Sequence, residues 1–191
     1  MTTENPNATD VMVDLETLGR NPYAPILSIG ACAFTFDDEP IADTFYVAID
    51  IASSIDLGLR PDGDTIKWWA KQEEAARSRA FNDPDAVSLP LALDAFTEWM
   101  HSRPVDVWGN SARFDLGLLE AAYKACRKEV PWEWWRECCY RTMKRLPGAR
   151  QTPLERFGTH HNALDDAISQ AVHLRKLYRA LGLTQQVATA A

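Results

Sequence analysis

The sequence predicts an α/β domain in which a mixed five-stranded sheet carries helices on both faces. The first 50 residues hold three strand-like stretches in succession with short connections, and the rest of the chain alternates two shorter strands with segments of helical period. No Gly/Ser/Pro-rich linker interrupts the 191 residues, so one domain is expected over 11–182, flanked by flexible tails at 1–10 and 183–191.

Each element has its own warrant. Val11-Met12-Val13-Asp14-Leu15-Glu16-Thr17 alternates, which sends Val13 and Leu15 into the core and Asp14 and Glu16 together to the opposite face. Residues 19–25 are rich in turn formers, and the apolar run 26–34 reads as a buried second strand. A third strand covers 43–49, where Phe45, Val47 and Ile49 alternate with polar or small neighbours; three such strands in succession suggest an antiparallel meander. Helical spacing follows over 64–79 and 89–101, the second placing Leu89, Leu93, Phe96 and Met100 on one stripe. A short apolar strand over 105–108 ends at Gly109, a helix over 116–126 starts beside Asp115, and 136–140 reads as the last strand. The final helix, 163–181, aligns Ala167, Ala171, Leu174, Tyr178 and Leu181.

Composition narrows the function classes. A net charge of −7 weighs against a protein that grips long duplex nucleic acid through many phosphates, though not against an enzyme whose cations meet the phosphate. The polar start lacks the features of a signal peptide and no apolar run reaches membrane-spanning length, so a soluble, cytoplasmic protein without membrane attachment is expected. Cys32, Cys126, Cys138 and Cys139 form no CxxC pair, which fits reduced thiols better than a zinc site.

The chemistry concentrates in five residues. Asp14 and Glu16 form a ligand pair, Asp115 and Asp166 add two carboxylates, and His161 stands five positions before Asp166. Two unit charges about 4 Å apart oppose each other by roughly 4 kcal/mol at an effective dielectric of about 20, so only bound cations make a cluster of four tolerable. Hard oxygen donors without clustered thiolates suit magnesium or manganese. Plainer roles stay open for single residues. Asp165 and Asp166 favour the positive end of the last helix, Asn162 suits its N-cap, and Asp115 alone can cap a helix.

Taken in order, Asp14-Leu15-Glu16-Thr17, Phe114-Asp115 and His161-Asn162-Ala163-Leu164-Asp165-Asp166 resemble the three motifs of the DEDD superfamily of 3′-to-5′ exonucleases. The histidine five before Asp166 resembles the histidine branch; the tyrosine branch carries Tyr four before, where Asn162 stands. Thr65-Ile66-Lys67-Trp68-Trp69, Val107-Trp108-Gly109-Asn110 and Cys139-Tyr140-Arg141-Thr142 look most like the group of phage-type, exonuclease VIII-like and exoribonuclease-like domains. The resemblance implies a ribonuclease H-like fold, two Mg²⁺ or Mn²⁺ ions, and release of nucleoside 5′-monophosphates from single-stranded DNA or RNA 3′ ends. It implies that Asp14 bridges both metals, that Glu16 and Asp166 complete the first, that Asp115 serves the second through water, and that His161 is the base. One departure is that Asn110-Ser111-Ala112-Arg113 stands where many histidine-branch enzymes have His-Asn-Ala before Phe-Asp.

By the same resemblance Thr17 and Leu18 hold the terminal nucleotide, Leu18 as an apolar wedge. Phe114 either stacks on a base or anchors its helix. Arg141, Lys144, Arg145 and Arg150 form a local basic patch that is either a solvated face or a phosphate guide, and the loop 147–160 is expected to move when substrate enters. His160 competes with His161 as base but lacks the family spacing. The tryptophans read as core or interface residues, which is compatible with a homodimer. The alternative from another class is a nucleic-acid-binding or assembly module that keeps the fold without turnover; a third is a phosphodiesterase for very short oligonucleotides.

Overall fold

The computed structural model describes residues 7–100 and 105–183, so most of the two expected tails and the last residue of the helix expected over 89–101 lie outside the described residues. β1 (Asp10–Thr17), β2 (Ile26–Phe34) and β3 (Thr44–Ala48) form the expected antiparallel meander. There follow α1 (Ile51–Asp56), α2 (Gly63–Trp69), α3 (Glu74–Phe81) and α4 (Leu89–Met100). β4 (Asp106–Gly109) then runs parallel to β1, and after α5 (Ala112–Ala125) β5 (Glu137–Cys139) runs parallel to β4. α6 (Tyr140–Met143) and α7 (Ala163–Ala180) complete the domain, and the sheet order is β3-β2-β1-β4-β5. None of the described helices is long and apolar enough to cross a membrane.

The alternation of β1 decides what lies on each face. Val11, Val13 and Leu15 join Ile29 and Ala31 of β2 under Leu93 and Phe96 of α4 and Leu119 of α5. On the other face Met12, Cys32 and Trp108 pack against Ala167, Ala171, Leu174 and Leu177 of α7. Asp14 and Glu16 share parity with Met12 and so lie on the α7 side.

Three elements differ from expectation. α1 and α6 were not foreseen, and the helix expected over 64–79 is broken at residues 70–73 into α2 and α3. On one straight helix Phe81 would lie about 18 Å along the axis from Trp69, yet their rings are 5.5 Å apart. The break folds α3 back, so that Ala76 and Ala80 share a cluster with Trp69, Leu18 and Leu27. Trp69 is fixed there by its indole N–H, which donates to the Thr17 carbonyl at 2.9 Å.

The approach of α7 to the sheet depends on Gly30, which pairs with Asp14 across β1 and β2. A Cβ at Gly30 would overlap the Ala163 carbonyl carbon and the Leu164 nitrogen. Ala163, Ala167 and Ala171, all fully buried, keep the helix close along the rest of the contact. Gly30→Ala is therefore expected to lower the melting temperature through overpacking of about 1–3 kcal/mol. Gly117→Ala in α5, where a Cβ meets nothing within 4 Å, is expected to be neutral or to stabilise by up to about 1 kcal/mol. Parallel thermal melts check both; equal effects would mean that the Gly30 contact does not position α7.

Candidate active site

Three elements converge on one corner of the sheet. Carboxylate oxygens of Asp14 and Glu16 from β1 and of Asp166 from the first turn of α7 lie within 4.8 Å of one another. Asp115 enters from the first turn of α5, which starts four residues earlier than the sequence suggested. Gly109 gives it room, since a Cβ at the end of β4 would lie 2.9 Å from the Asp115 Cβ. Asp115 Oδ2 accepts the Ser111 N–H at 3.2 Å, so the residue that departs from the family pattern contributes its backbone here.

The start of α7 is built as the sequence indicated. Asn162 Oδ1 caps it by accepting the N–H groups of Leu164 and Asp165, each at 3.1 Å. Asp165 turns away and accepts the Thr159 N–H at 2.7 Å. Asp166 instead faces the sheet, taking the His161 N–H at 3.0 Å and the Arg156 guanidinium at 2.7 Å. One turn later Gln170 Nε2 donates to Asp14 Oδ1 at 2.7 Å, while Gln170 Oε1 is buried without a hydrogen-bond partner.

Burial, with repulsion from neighbouring carboxylates, raises three carboxyls of this cluster. Burial raises the Asp14 carboxyl well above its ordinary value, helped by the charges of Asp115, Glu16 and Asp166. Glu16 is pushed up to about 8 by burial, then by Asp166 and Asp115. Asp115 reaches about 7, since its burial is partly offset by backbone N–H groups, Ser111 first among them. Acceptors thus exceed donors at a site of hard oxygen ligands, which is the donor set a divalent cation of the magnesium or manganese type fits.

His161 adopts the left-handed backbone region, φ 62°. Its ring stacks on His160 at 3.7 Å and meets Trp68 edge-on at 4.8 Å. Nitrogens of both histidines lie within 4.8 Å of an Asp166 oxygen. Burial first, then the neighbouring His160, lowers the His161 pKa, against the pull of Asp166.

The carboxylates open onto two adjoining cavities. One, of about 210 Å³, is lined by Asp14, Asp166, His161, Asn110, Lys144 and Arg156. The other, of about 400 Å³, is lined by Glu16, Thr17, Trp68, Trp69, Phe114 and Arg20 among others. A separate cavity of about 620 Å³ around Tyr46, Arg79 and Asp83 contains none of the five residues.

Among the expected substrate residues, Thr17 and Phe114 line the cleft. The Thr17 hydroxyl is engaged with the Gly19 carbonyl at 2.8 Å. Leu18 corrects the sequence reading. Just past the end of β1, where the register with β2 slips at Leu27, Leu18 turns inward against Leu27 and Trp69, 4% exposed. Its N–H donates to the Pro25 carbonyl at 2.9 Å and its carbonyl accepts from Asp62 at 2.7 Å, which leaves neither side chain nor backbone for a nucleotide. Arg141 stands exposed at the rim and donates to the Asn110 carbonyl at 2.7 Å. The tryptophans divide, with Trp69 in the core and Trp68, 42% exposed, forming a wall of the cleft. Arg156 and Gln170 were missed. Gln170 lies four residues after Asp166 on one helical face, a spacing that was legible; Arg156 sits in a loop with no periodicity to place it.

Residues 9–178 match the family described as the 3′-5′ exoribonuclease Rv2179c-like domain. The chain belongs to this family. An exodeoxyribonuclease of enterobacteria phage T4 is 23% identical over 122 residues, a match that spans 58% of this chain and 53%, about half, of the relative. The nuclease domain of 3′hExo, a DEDDh family member solved with rAMP, superposes with a TM-score of 0.60 at 14% identity over 92% of this chain and 94% of that one. E. coli exonuclease I in complex with a dT13 oligonucleotide gives a TM-score of 0.67 at 12% identity over 92% of this chain and 42% of its own. These likenesses show the fold, the ribonuclease H-like sheet of the DEDDh nucleases, in agreement with the motif resemblance.

The raised carboxyls set a pH dependence. A carboxyl that binds its proton more tightly when folded contributes stability below its unfolded value, and the contribution is lost as pH rises through the folded one. For Glu16 that window runs from 4.5 to about 8. In chelator, melting temperature is expected to fall across it, with Asp14→Asn melting at or above the native protein and with a flatter profile. A large loss of metal-free stability in Asp14→Asn would mean that the carboxylate stabilises the fold, through Gln170 or another group, by more than repulsion costs, and that the cluster is not repulsive.

Proposed function

We propose that the protein is a divalent-cation-dependent 3′-to-5′ exonuclease that removes nucleoside 5′-monophosphates from single-stranded RNA or DNA ends. The observation that carries this reading is the convergence of Asp14, Glu16 and Asp166 within 4.8 Å, with His161 and an aromatic-walled cleft beside them. Family membership supports it. The family is described as exoribonucleolytic and the phage relative is an exodeoxyribonuclease, so the reading covers both sugars. A binding module without turnover would tolerate loss of any of the five residues, and all five are present.

Asp14, Glu16 and Asp166 would hold one magnesium or manganese ion, and Asp115 with Asp14 a second. Such a pair, when bound, acidifies the attacking water and stabilises the leaving 3′ oxygen of an in-line displacement. The remaining work belongs to the chain. His161, held neutral by partial burial, presents an unprotonated ring nitrogen to take the proton of the attacking water. Gln170 fixes the Asp14 carboxylate so that it does not rotate away from the cluster. Trp68 and Phe114 offer apolar surface for the terminal base across the 400 Å³ cleft. Lys144 and Arg156 line the smaller cavity as the cations that meet phosphate.

Matched 5′-labelled single-stranded RNA and DNA, incubated with magnesium, manganese or chelator, are expected to give a metal-dependent ladder shortening from the 3′ end and absent in Asp14→Asn. No cleavage of either strand with any metal would move the reading to the binding module. His161→Asn, chosen because asparagine tolerates the left-handed backbone, is expected to fold normally and to lose about 10²–10⁴ in rate. A near-native rate would remove His161 as the base.

A further inference from the structure

One carboxylate of the cluster already has a cationic partner. Arg156 Nη1 donates to Asp166 Oδ1 at 2.7 Å, the guanidinium 47% exposed and the carboxylate 11%. The second Asp166 oxygen takes the His161 N–H at 3.0 Å, so both oxygens of an expected ligand residue are engaged. The loop carrying Arg156 is tied to α7 by neighbours on its C-terminal side. Phe157 N–H donates to Ser169 Oγ at 2.9 Å and Thr159 N–H to Asp165 at 2.7 Å, which leaves the Arg156 side chain free to turn without unfastening the loop.

A second cation stands on the same rim. Lys144 Nζ lies 4.4 Å from the centre of the Tyr140 ring, donates to Asn110 Oδ1 at 3.0 Å and lines the same cavity as Arg156. Burial first, then the charges of Arg141 and Arg156, depresses its pKa, so these cations crowd one another. Crowded cations at the edge of a carboxylate pocket gain from an anion between them, and a guanidinium fork suits carboxylate and phosphate equally.

We propose that Arg156 is an exchangeable counterion, which sits on Asp166 until a divalent cation takes that carboxylate and then turns to a non-bridging oxygen of the substrate phosphate. The inference rests on the proposed function for the identity of the ion and the phosphate. Because Asp166 Oδ1 cannot serve both partners, Arg156 and the ion compete, and their coupling is reciprocal. Arg156 thereby holds down metal affinity in the absence of substrate and adds substrate affinity in its presence.

The test compares native protein, Arg156→Gln and Arg156→Lys. Manganese is titrated calorimetrically without nucleic acid, and kcat and KM are measured separately on a short 5′-labelled oligonucleotide. Arg156→Gln is expected to bind manganese roughly fivefold or more tightly, with a KM raised roughly tenfold or more. Arg156→Lys, which keeps a charge without the fork, falls between. A merely structural arginine would not tighten metal binding on removal. Unchanged or weaker manganese affinity in Arg156→Gln overturns the competition, and tighter affinity with an unchanged KM overturns the transfer to phosphate. Native protein that binds manganese but cleaves nothing would sink the exonuclease reading, while the competition at Asp166 is still decided by the titration.

Discussion

α7 meets the middle of the sheet backbone to backbone, at Gly30, and the whole site depends on that contact. Asp14 and Glu16 are fixed by β1 pairing, whereas His161, Asp166 and Gln170 are fixed by the helix start. The distance between the two groups is therefore the distance between helix and sheet. Any side chain at Gly30 would occupy the volume now filled by the Ala163 carbonyl carbon and the Leu164 nitrogen. The alanines at 163, 167 and 171 keep the rest of the interface thin, and the larger residues Leu174 and Leu177 enter only further from the carboxylates.

That closeness creates an electrostatic debt that the surroundings only partly settle. Burial raises Asp14, Glu16 and Asp115, the first two further through their carboxylate neighbours, and the fold answers with oriented donors: the Ser111 and His161 amides, the Gln170 amide and the Arg156 guanidinium. These donors orient the oxygens without neutralising all of them, so the chain itself holds the carboxylates in place. Removal of the Gln170 amide would loosen the site without changing its charge.

How much was legible follows from which forces act locally. The alternation in β1, the stripe of α7 and the Asn162 cap depend on neighbours in sequence, and all three stand in the structure as read. The five sheet strands and their meander followed from the same patterns. The helix break at 70–73 did not, because it is set by the meeting of Trp69 with Phe81 and of the Trp69 indole with the Thr17 carbonyl. Leu18 was misplaced for a related reason. Its role was carried over from the resemblance, whereas its burial is set by Trp69, Ala76 and Ala80, far away in sequence. Arg156 reaches Asp166 from an irregular loop, where spacing carries no information about proximity.

Two adjacent positions at the start of α7 have been given jobs that exclude each other's residues. Position 161 holds an imidazole on a left-handed backbone, while position 162 needs a short side chain whose oxygen reaches the Leu164 and Asp165 amides. A tyrosine at 162, where the tyrosine branch keeps one, would strip the helix of a cap worth about 1 kcal/mol. It would also send its ring from an extended backbone, φ −108°, instead of the left-handed one from which the imidazole now projects. The cap at 162 and the imidazole at 161 are thus separate requirements of this helix start, and no exchange of residues between the two positions would meet both.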